Sequence, residues 1–313
     1  MQYIGVDIGG TNLRVGVVEK SKVIHEKRVL ADFSHICQSN SPEIAWQKII
    51  AITSQTLLDV LNEFPDCKAV GIGFPGFIDP QTASIMQSPN LPGLFDVDLV
   101  GGIRKLIHCP VFVENDALAA SYGEYCLLKE ANLISTNDSM IYIGLGTGVG
   151  GGFIHKGEVF SGEHGVAMEV GHIITYQGGR PCGCGNKGCL EQYASASGVS
   201  ISYYESKKIQ LTAQQIADLA FDGDSDALEA YENAGRALGM ALAHIVKVID
   251  VSDVVIGGGM SQAWSLFEGA FNDQLDRDLI PVLRGKVKCH VSTTFDQAGM
   301  IGAALFAEHK EKH

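Results

Sequence analysis

The chain has 313 residues, of which 46% are hydrophobic and 19% charged, a balance typical of one large globular domain or two of ordinary size. Its net charge of −13 argues against a nucleic-acid-binding protein, because phosphate backbones are held mainly by clustered Lys and Arg. The start MQYIGVDIGG lacks the features of a signal peptide, and no apolar run approaches the ~20 residues of a membrane span, so we expect a cytoplasmic protein.

The first half of the chain predicts strands that end in glycine or polar turns. Residues 3–19, YIGVDIGGTNLRVGVVE, form two β-runs around a Gly-Gly-Thr turn, the pattern of a hairpin. An amphipathic helix is expected over 43–64, where apolar residues recur at three-and-four spacing. AVGIGFPG (69–76) and PVFVEND (110–116) predict two further strands, and the second is followed by the helical stretch ALAASYGEYCLL.

The second half repeats this arrangement in pattern. MIYIGLGTGVGGGFI (140–154) again places two β-runs around a glycine turn. A long helix is expected over 226–249, then a strand running into a glycine turn at DVVIGGGM (253–260), and a final helix over 298–310. Mixed strands and helices, with a hairpin opening each half, indicate an α/β fold whose two parts meet near 117–135.

Three glycine turns follow strands, and their backbone N–H groups suit phosphate oxygens. They are Asp7-Ile8-Gly9-Gly10-Thr11, Leu145-Gly146-Thr147-Gly148-Val149-Gly150 and Ile256-Gly257-Gly258-Gly259. Any one alone is explained as well by an ordinary turn. None matches the P-loop pattern GxxxxGK[ST], and none forms the strand-to-helix GxGxxG of a dinucleotide site.

The stretch PVFVEND ends on Glu114, Asn115 and Asp116, at the carboxyl end of a strand, where α/β folds build their sites. From the residues alone, the better explanation of Asp116 is that it caps the helix beginning at Ala117. Asp7, before the first glycine turn, is explained in the same way by bonds to its own turn backbone.

Three of the eight cysteines, Cys182, Cys184 and Cys189, fall within eight residues of the glycine-rich stretch GRPCGCGNKGCLEQ (179–192). Together with His172 they offer one nitrogen and three sulfurs, a set that suits tetrahedral Zn²⁺. Four protein ligands leave no open position, which indicates a structural metal. Reversible oxidation of neighbouring thiols is the alternative, and a stable disulfide is disfavoured in a reducing compartment.

These motifs together resemble a known family. The three glycine turns resemble the two phosphate motifs and the adenosine motif of the actin-like ATPase fold. Glu169-Val170-Gly171-His172, the cysteine stretch and Cys189-Leu190-Glu191-Gln192 resemble the signature of the ROK family of bacterial sugar kinases and repressors. The resemblance spans nearly the whole chain and implies an actin-like ATPase (ribonuclease H-like) fold, with two α/β domains around a central cleft. These would be residues 1–117, completed by the helix 298–313, and residues 118–297, which carry the zinc-binding loop.

The resemblance also implies a role for each motif. Asp116 becomes the general base that accepts the proton of the attacking sugar hydroxyl. The sugar-binding residues would be Asn90, Asn115, Asp116, Glu169, His172 and Glu191. The nucleotide-binding residues would be Asp7, Gly9, Gly10, Thr11, Gly146, Thr147, Gly148, Gly257, Gly258 and Gly259, with Asp7 near Mg²⁺. Zn²⁺ on His172, Cys182, Cys184 and Cys189 would shape the loop so that Glu191 points into the sugar pocket.

Two functions compete under this resemblance, an ATP-dependent hexose kinase and a sugar-responsive repressor. A repressor needs a helix-turn-helix before the first hairpin, and here that hairpin starts at residue 3, so we expect the kinase. Its expected partners are a hexose and ATP, its cofactors ATP, Mg²⁺ and structural Zn²⁺, and its assembly a homodimer or homotetramer, without nucleic acid or membrane.

The 6-hydroxyl of glucose is the first expected acceptor. The alternatives are N-acetylglucosamine, N-acetylmannosamine, fructose, mannose and allose. They stay open because Met168 precedes Glu169 where many family members carry a small residue.

Overall fold

The computed structural model describes residues 1–134, 138–294 and 297–312. Contacts between Cα atoms divide the chain into two compact units. Unit 1 comprises Met1–Ile134, Gly152–Ala167 and Gln297–His313, and unit 2 comprises Ser135–Gly151 and Met168–Asp296. This division puts 118–134 and 152–167 in unit 1, segments that the sequence assigns to the second domain.

Strands and helices are mixed along the chain, which confirms the predicted α/β class. The strands among the described residues are β1 Gln2–Ile8, β2 Asn12–Glu19, β3 Lys22–Leu30, β4 Val70–Phe74, β5 Phe77–Ile78, β6 Ile85–Gln87, β7 Phe95–Val97, β8 Val111–Asn115, β9 Met140–Leu145, β10 Val149–His155, β11 Glu158–Val159, β12 Asp253–Gly257 and β13 Lys288–Val291. The α-helices are α1 Phe33–Ser39, α2 Pro42–Glu63, α3 Leu99–Arg104, α4 Asp116–Glu130, α5 Glu191–Ala194, α6 Ala196–Lys207, α7 Ala213–Phe221, α8 Ser225–Ile249, α9 Glu268–Asp278 and α10 Ala298–Lys312.

Helix α2 shows why the predicted elements begin where they do. The hydroxyl of Ser41 accepts a hydrogen bond from Ile44 N at 3.5 Å, and Pro42 stands at the first helical position, where its missing N–H costs nothing. The helix predicted over 43–64 is therefore observed within one residue at each end. The hairpin predicted over 3–19 is likewise observed, with β1 and β2 paired antiparallel from Gln2↔Glu19 to Ile8↔Leu13.

The two five-stranded sheets share one strand order. The sheet of unit 1 runs β3-β2-β1-β4-β8, and the other runs β11-β10-β9-β12-β13. Counted within each sheet, both orders are 3-2-1-4-5. Strands β1, β4 and β8 are parallel, as are β9, β12 and β13. Since the carboxyl ends of parallel strands meet at one edge, the motifs that follow these strands collect there.

Helix α10 packs directly on the sheet of unit 1, because two strands carry glycine where the helix crosses them. A Cβ on Gly5 would lie 1.9 Å from Met300 O, and one on Gly71 would lie 1.8 Å from Ala303 O. The alternate residues of β1 point to the opposite face and join the apolar core there, which also includes Ile49 and Leu57 of α2. Asp7 shares the face of Gly5, so the sheet presents its carboxylate towards α10.

Among the residues that the structure describes, no helix combines the length and the apolar character needed to cross a bilayer.

Candidate active site

The first glycine turn of unit 1 joins β1 to β2 and closes on itself. Gly9 N donates to Asn12 O at 2.8 Å, and Thr11 is exposed. Asp7 lies beside the first turn of α10, where a Cβ on Gly299 would be 3.5 Å from its carboxyl carbon. The positive end of the helix dipole interacts favourably with the negative charge of this carboxylate.

Ser34, the second residue of α1, links this turn to the loop that carries Asn90. Its N–H donates to Gly10 O at 2.9 Å, and its hydroxyl donates to Asn90 O at 3.0 Å. A Cβ on Gly10 would come within 2.7 Å of the Ser34 hydroxyl, so glycine leaves the space in which that hydroxyl sits. Within unit 1, the predicted nucleotide turn and the predicted sugar loop are thus connected by one residue, Ser34, which no motif indicates.

At the end of β8 the helix cap is Asn115, and the explanation of Asp116 as the cap is wrong. The Asn115 amide oxygen accepts from Ala117 N at 3.0 Å and Leu118 N at 3.1 Å, and its amide nitrogen donates to Gly76 O at 3.0 Å. Asp116 is the first residue of α4 and is half-buried, and its carboxylate accepts from Ala117 N at 2.9 Å. Asn115 is the cap because it occupies the last, extended position before the helix.

Glu114 is a buried carboxyl group two residues before Asp116, with 8% of its surface exposed. Burial raises the pKa of Glu114 to about 7, although the hydrogen bond from Asn115 N and the charge of Lys310 both act to lower it. The side chain lines a cavity of about 410 Å³ in unit 1. Sequence patterns place Glu114 at a strand end, but they contain no signal for its burial.

The two glycine turns of unit 2 lie side by side. Strands β9 and β12 are parallel neighbours with Gly144 opposite Gly257, so the turns after them meet at one edge of the sheet. Gly258 has a φ of +80°, and a Cβ there would come within 2.4 Å of Leu145 O, so only glycine fits. Both turns line a cavity of about 510 Å³, whose walls also include Phe221 and Tyr231.

Three of the predicted sugar-binding residues lie in unit 2. Glu191, the first residue of α5, accepts from Val149 N at 3.1 Å through its carboxylate and so contacts the turn around Gly148. The His172 Nε2 lies 3.7 Å from a carboxylate oxygen of Glu169. Burial raises the pKa of Glu169, His172 lowers it, and the nearby charge of Glu191 raises it. Polar groups that both accept and donate are thereby gathered close to one glycine turn.

His172, Cys182, Cys184 and Cys189 converge, with one ligand atom from each lying within 4.8 Å of the others. The Cys184 and Cys189 sulfurs are 3.6 Å apart, and the Cys182 sulfur lies 3.6 Å from the His172 Nδ1. Ligands of tetrahedral Zn²⁺ with Zn–S near 2.3 Å lie about 3.8 Å apart, so this donor set fits the ion. His172 turns Nδ1 to the cysteines and Nε2 to Glu169, and therefore joins the two groups.

Known proteins match the chain over nearly its full length. The model of the ROK family matches residues 3–310. This chain belongs to the ROK family. The predicted family is thereby confirmed on a match that includes every motif named above.

ROK relatives include both enzymes and regulators. A glucokinase from Thermotoga maritima is 30% identical over 99% of this chain and 98% of its own. A xylose repressor from Bacillus spizizenii is 28% identical over 98% of this chain and 77% of the repressor. A ROK family glucokinase from Streptomyces griseus, solved in complex with glucose and AMPPNP, has a TM-score of 0.79 and 28% identity, with coverage of 99% of this chain and 100% of that one. These ROK neighbours confirm the predicted actin-like ATPase fold.

The predicted residues fall into one group in each unit. The group in unit 1 consists of Asp7, Gly9, Gly10, Thr11, Asn90, Asn115 and Asp116. The group in unit 2 consists of Gly146, Thr147, Gly148, Glu169, His172, Cys182, Cys184, Cys189, Glu191, Gly257, Gly258 and Gly259. Both ends of the Asn115 amide already bond to the protein.

Proposed function

We propose that this ROK protein is an ATP-dependent sugar kinase that phosphorylates a hexose, with the 6-hydroxyl of glucose as the first candidate acceptor. The cavity of unit 2 carries the proposal, because two glycine turns and two aromatic residues line a space of about 510 Å³, a volume typical of small-ligand sites. The glucose and AMPPNP held by the Streptomyces griseus relative support the same pair of ligands.

For the nucleotide, the N–H groups of the turns at Gly146–Gly148 and Gly257–Gly259 are the proposed donors to phosphate oxygens. Phe221, which is exposed at the cavity, offers apolar surface to the base. Asp7 is the proposed carboxylate ligand of Mg²⁺, which when bound neutralises phosphate charge during transfer. A single carboxylate is sufficient, because Mg²⁺ takes its other ligands from phosphate and water.

Asp116 is the proposed general base. A sugar hydroxyl is a weak nucleophile, and its oxygen forms the new bond to the γ-phosphorus while the bond from that phosphorus to ADP breaks. The hydroxyl proton passes to the Asp116 carboxylate in this step. Because Asn115 caps α4, the helix does not need the Asp116 side chain as its cap.

Glu169, His172 and Glu191 are the proposed partners of the sugar hydroxyls. The identity of the sugar is left open at Met168, which precedes Glu169 and has a φ of +63°, the left-handed conformation that favours glycine. Its side chain lines an apolar groove with Val170 and Ile173. N-acetylglucosamine, N-acetylmannosamine, fructose, mannose and allose therefore remain the alternatives to glucose.

Zn²⁺ on the His-Cys₃ group is proposed as a structural ion. Its four protein ligands leave no position for substrate, so the ion would shape the site without taking part in the chemistry. The contact of His172 with Glu169 is the route by which loss of the ion would reach the sugar site.

A coupled assay of ADP release across hexoses and N-acetylhexosamines tests the proposal. We expect Mg²⁺-dependent turnover with at least one sugar and loss of that turnover in Asp116→Asn. A sugar regulator is the second candidate, favoured by the similarity to xylose repressors. Sugar binding without ADP release on any member of the panel would support the regulator and reject the kinase.

A further inference from the structure

Arg180, at the start of the cysteine stretch 179–192, donates hydrogen bonds from its guanidinium to several residues of α5 and α6. Its Nη1 donates to Gln192 O at 2.6 Å and to Gly198 O at 3.2 Å. Its Nη2 donates to the Ser202 hydroxyl at 3.0 Å and to Glu205 at 2.6 Å. Only 15% of the side chain is exposed, so these bonds satisfy a largely buried cation.

The backbone and ring contacts of Arg180 both reach α5, through Tyr193. Its N–H donates to the Tyr193 hydroxyl at 2.9 Å, and its guanidinium lies 4.5 Å from the centre of the Tyr193 ring. The Tyr176 ring packs edge-on against the Tyr193 ring, with centroids 4.5 Å apart. One residue therefore fastens the base of the cysteine loop to α5 and α6.

The cysteine loop has a tip and a base that are held separately. The tip, residues 181–187, closes through a bridge between Pro181 and Lys187 and a bond from Cys182 N to Asn186 O at 2.9 Å. At the base, Gly188 N donates to Arg180 O at 2.8 Å. Cys189 and Leu190 lie between Gly188 and Glu191, and the residue after Glu191, Gln192, carries the carbonyl that Arg180 binds.

We infer that Arg180 is a positioning residue for Glu191, and that its bonds to α5 and α6, none of which involves a residue of the His-Cys₃ group, fix the loop base and the start of α5. The inference rests on the proposed function in one respect, the action of Glu191 on a sugar. The guanidinium is required because its planar fork donates to several acceptors at once, whereas a lysine ammonium acts from a single point.

The test compares Arg180→Lys and Arg180→Ala with wild type and with Arg277→Ala, which removes an exposed arginine of α9. Both Arg180 variants should retain wild-type zinc content. Their sugar KM should rise by about tenfold or more, because small misplacements of a binding group can cost up to about 10²-fold. Amide hydrogen exchange at residues 191–194 should become faster in both, and Arg277→Ala should match wild type throughout.

The outcomes separate this inference from the proposed function. If wild type phosphorylates no sugar, the kinase proposal fails, and hydrogen exchange and zinc content still test Arg180. The inference would be overturned if amide hydrogen exchange at residues 191–194 is as slow in Arg180→Lys as in wild type. It would also be overturned if the folded variant loses its zinc. If both variants fail to fold, Glu205→Ala removes the carboxylate that accepts from Nε and Nη2 of the Arg180 guanidinium. Unchanged exchange at 191–194 in that variant would also overturn it.

Discussion

Asn115 and Asp116 are neighbours with separate tasks. The amide of Asn115 satisfies two N–H groups of the first turn of α4 and the carbonyl of Gly76. The Asp116 carboxylate accepts from the adjacent N–H of Ala117 and stays half-buried.

 Asp116 stands at the first helical position and does not serve as the cap. A substitution at Asp116 can therefore remove a base and leave the helix start intact.

Asp116→Asn is expected to lower turnover by about 10²-fold or more, the usual contribution of a general base. The melting temperature should stay close to wild type, because Asn115 supplies the cap. Steady-state kinetics and a melting curve measure the two effects, with Asp273→Asn on the exposed side of α9 as the matched control. Near wild-type turnover in a folded Asp116→Asn protein would show that another group takes the proton.

Glu114→Gln is expected to stabilise the protein above neutral pH. Burial raises the pKa of Glu114 to about 7 from an ordinary value of 4.5, so the folded state disfavours the charged form. The wild type therefore loses stability as pH rises from 4.5 through about 7, by a few kcal/mol for a shift of this size. The neutral amide avoids that loss and can still accept from Asn115 N.

Urea unfolding at pH 5 and pH 8 measures the difference, with the exposed Glu163→Gln as the control. The gain of Glu114→Gln over wild type should be larger at pH 8 than at pH 5. An equal gain at both values, or none, would mean that Glu114 is ionised in the folded protein throughout this range.

At the scale of elements, the first glycine turn and α1 act as one unit through Ser34. Gly10→Val would place a side chain where the Ser34 hydroxyl lies and where phosphates are proposed to approach. We expect a rise in nucleotide KM of about tenfold or more, together with a rise in sugar KM, because Ser34 would lose its bond to Asn90 O.

Ser34→Ala separates the two effects of Gly10→Val. It removes the bond to Asn90 and leaves the turn backbone unchanged, so only the sugar KM should rise. If Gly10→Val raises neither KM, the turn does not bind phosphate. If Ser34→Ala leaves the sugar KM unchanged, the hydrogen bond from Ser34 to Asn90 does not contribute to sugar binding.

The conformation of the cysteine stretch 179–192 should depend on zinc at the His-Cys₃ group. Cys184→Ser replaces a thiolate ligand with a poor one and should release the ion, which in turn frees His172 beside Glu169. We expect lost zinc, a raised sugar KM and an unchanged nucleotide KM, by elemental analysis and kinetics. Cys289→Ser, a cysteine of β13 outside the group, is the control.

Two results would reject this account of the metal. Wild-type protein prepared without chelators that contains no zinc would exclude the site. If wild type contains zinc and zinc-free Cys184→Ser keeps a normal sugar KM, the ion contributes only to stability. It then has no effect on the sugar site.

At the scale of the whole molecule, each unit carries part of the proposed machinery. Unit 1 holds one glycine turn with Asp7, Asn90 and Asp116, and unit 2 holds the other two turns with the His-Cys₃ group and Glu191. Both sheets use the strand order 3-2-1-4-5, and in each sheet a glycine turn follows the first strand, β1 in unit 1 and β9 in unit 2. The roles of these residues in catalysis remain proposals that the variants above test.

The sequence by itself determined the features that depend on neighbouring residues. Hairpins, helix limits and glycine turns follow from side-chain periods and turn chemistry within a few positions, which is why α2 and the hairpin 3–19 were predicted closely. The cysteine group was visible for the same reason, because its three sulfurs lie within eight residues.

Only the tertiary structure decided the features that join distant segments. Ser34 meets Asn90 across 56 positions, and Arg180 reaches Glu205 across 25. The burial of Glu114 depends likewise on packing that no local pattern encodes. The choice of Asn115 over Asp116 as cap depended on the residue at which the helix began, and a local pattern fixes that point only to within a residue or two.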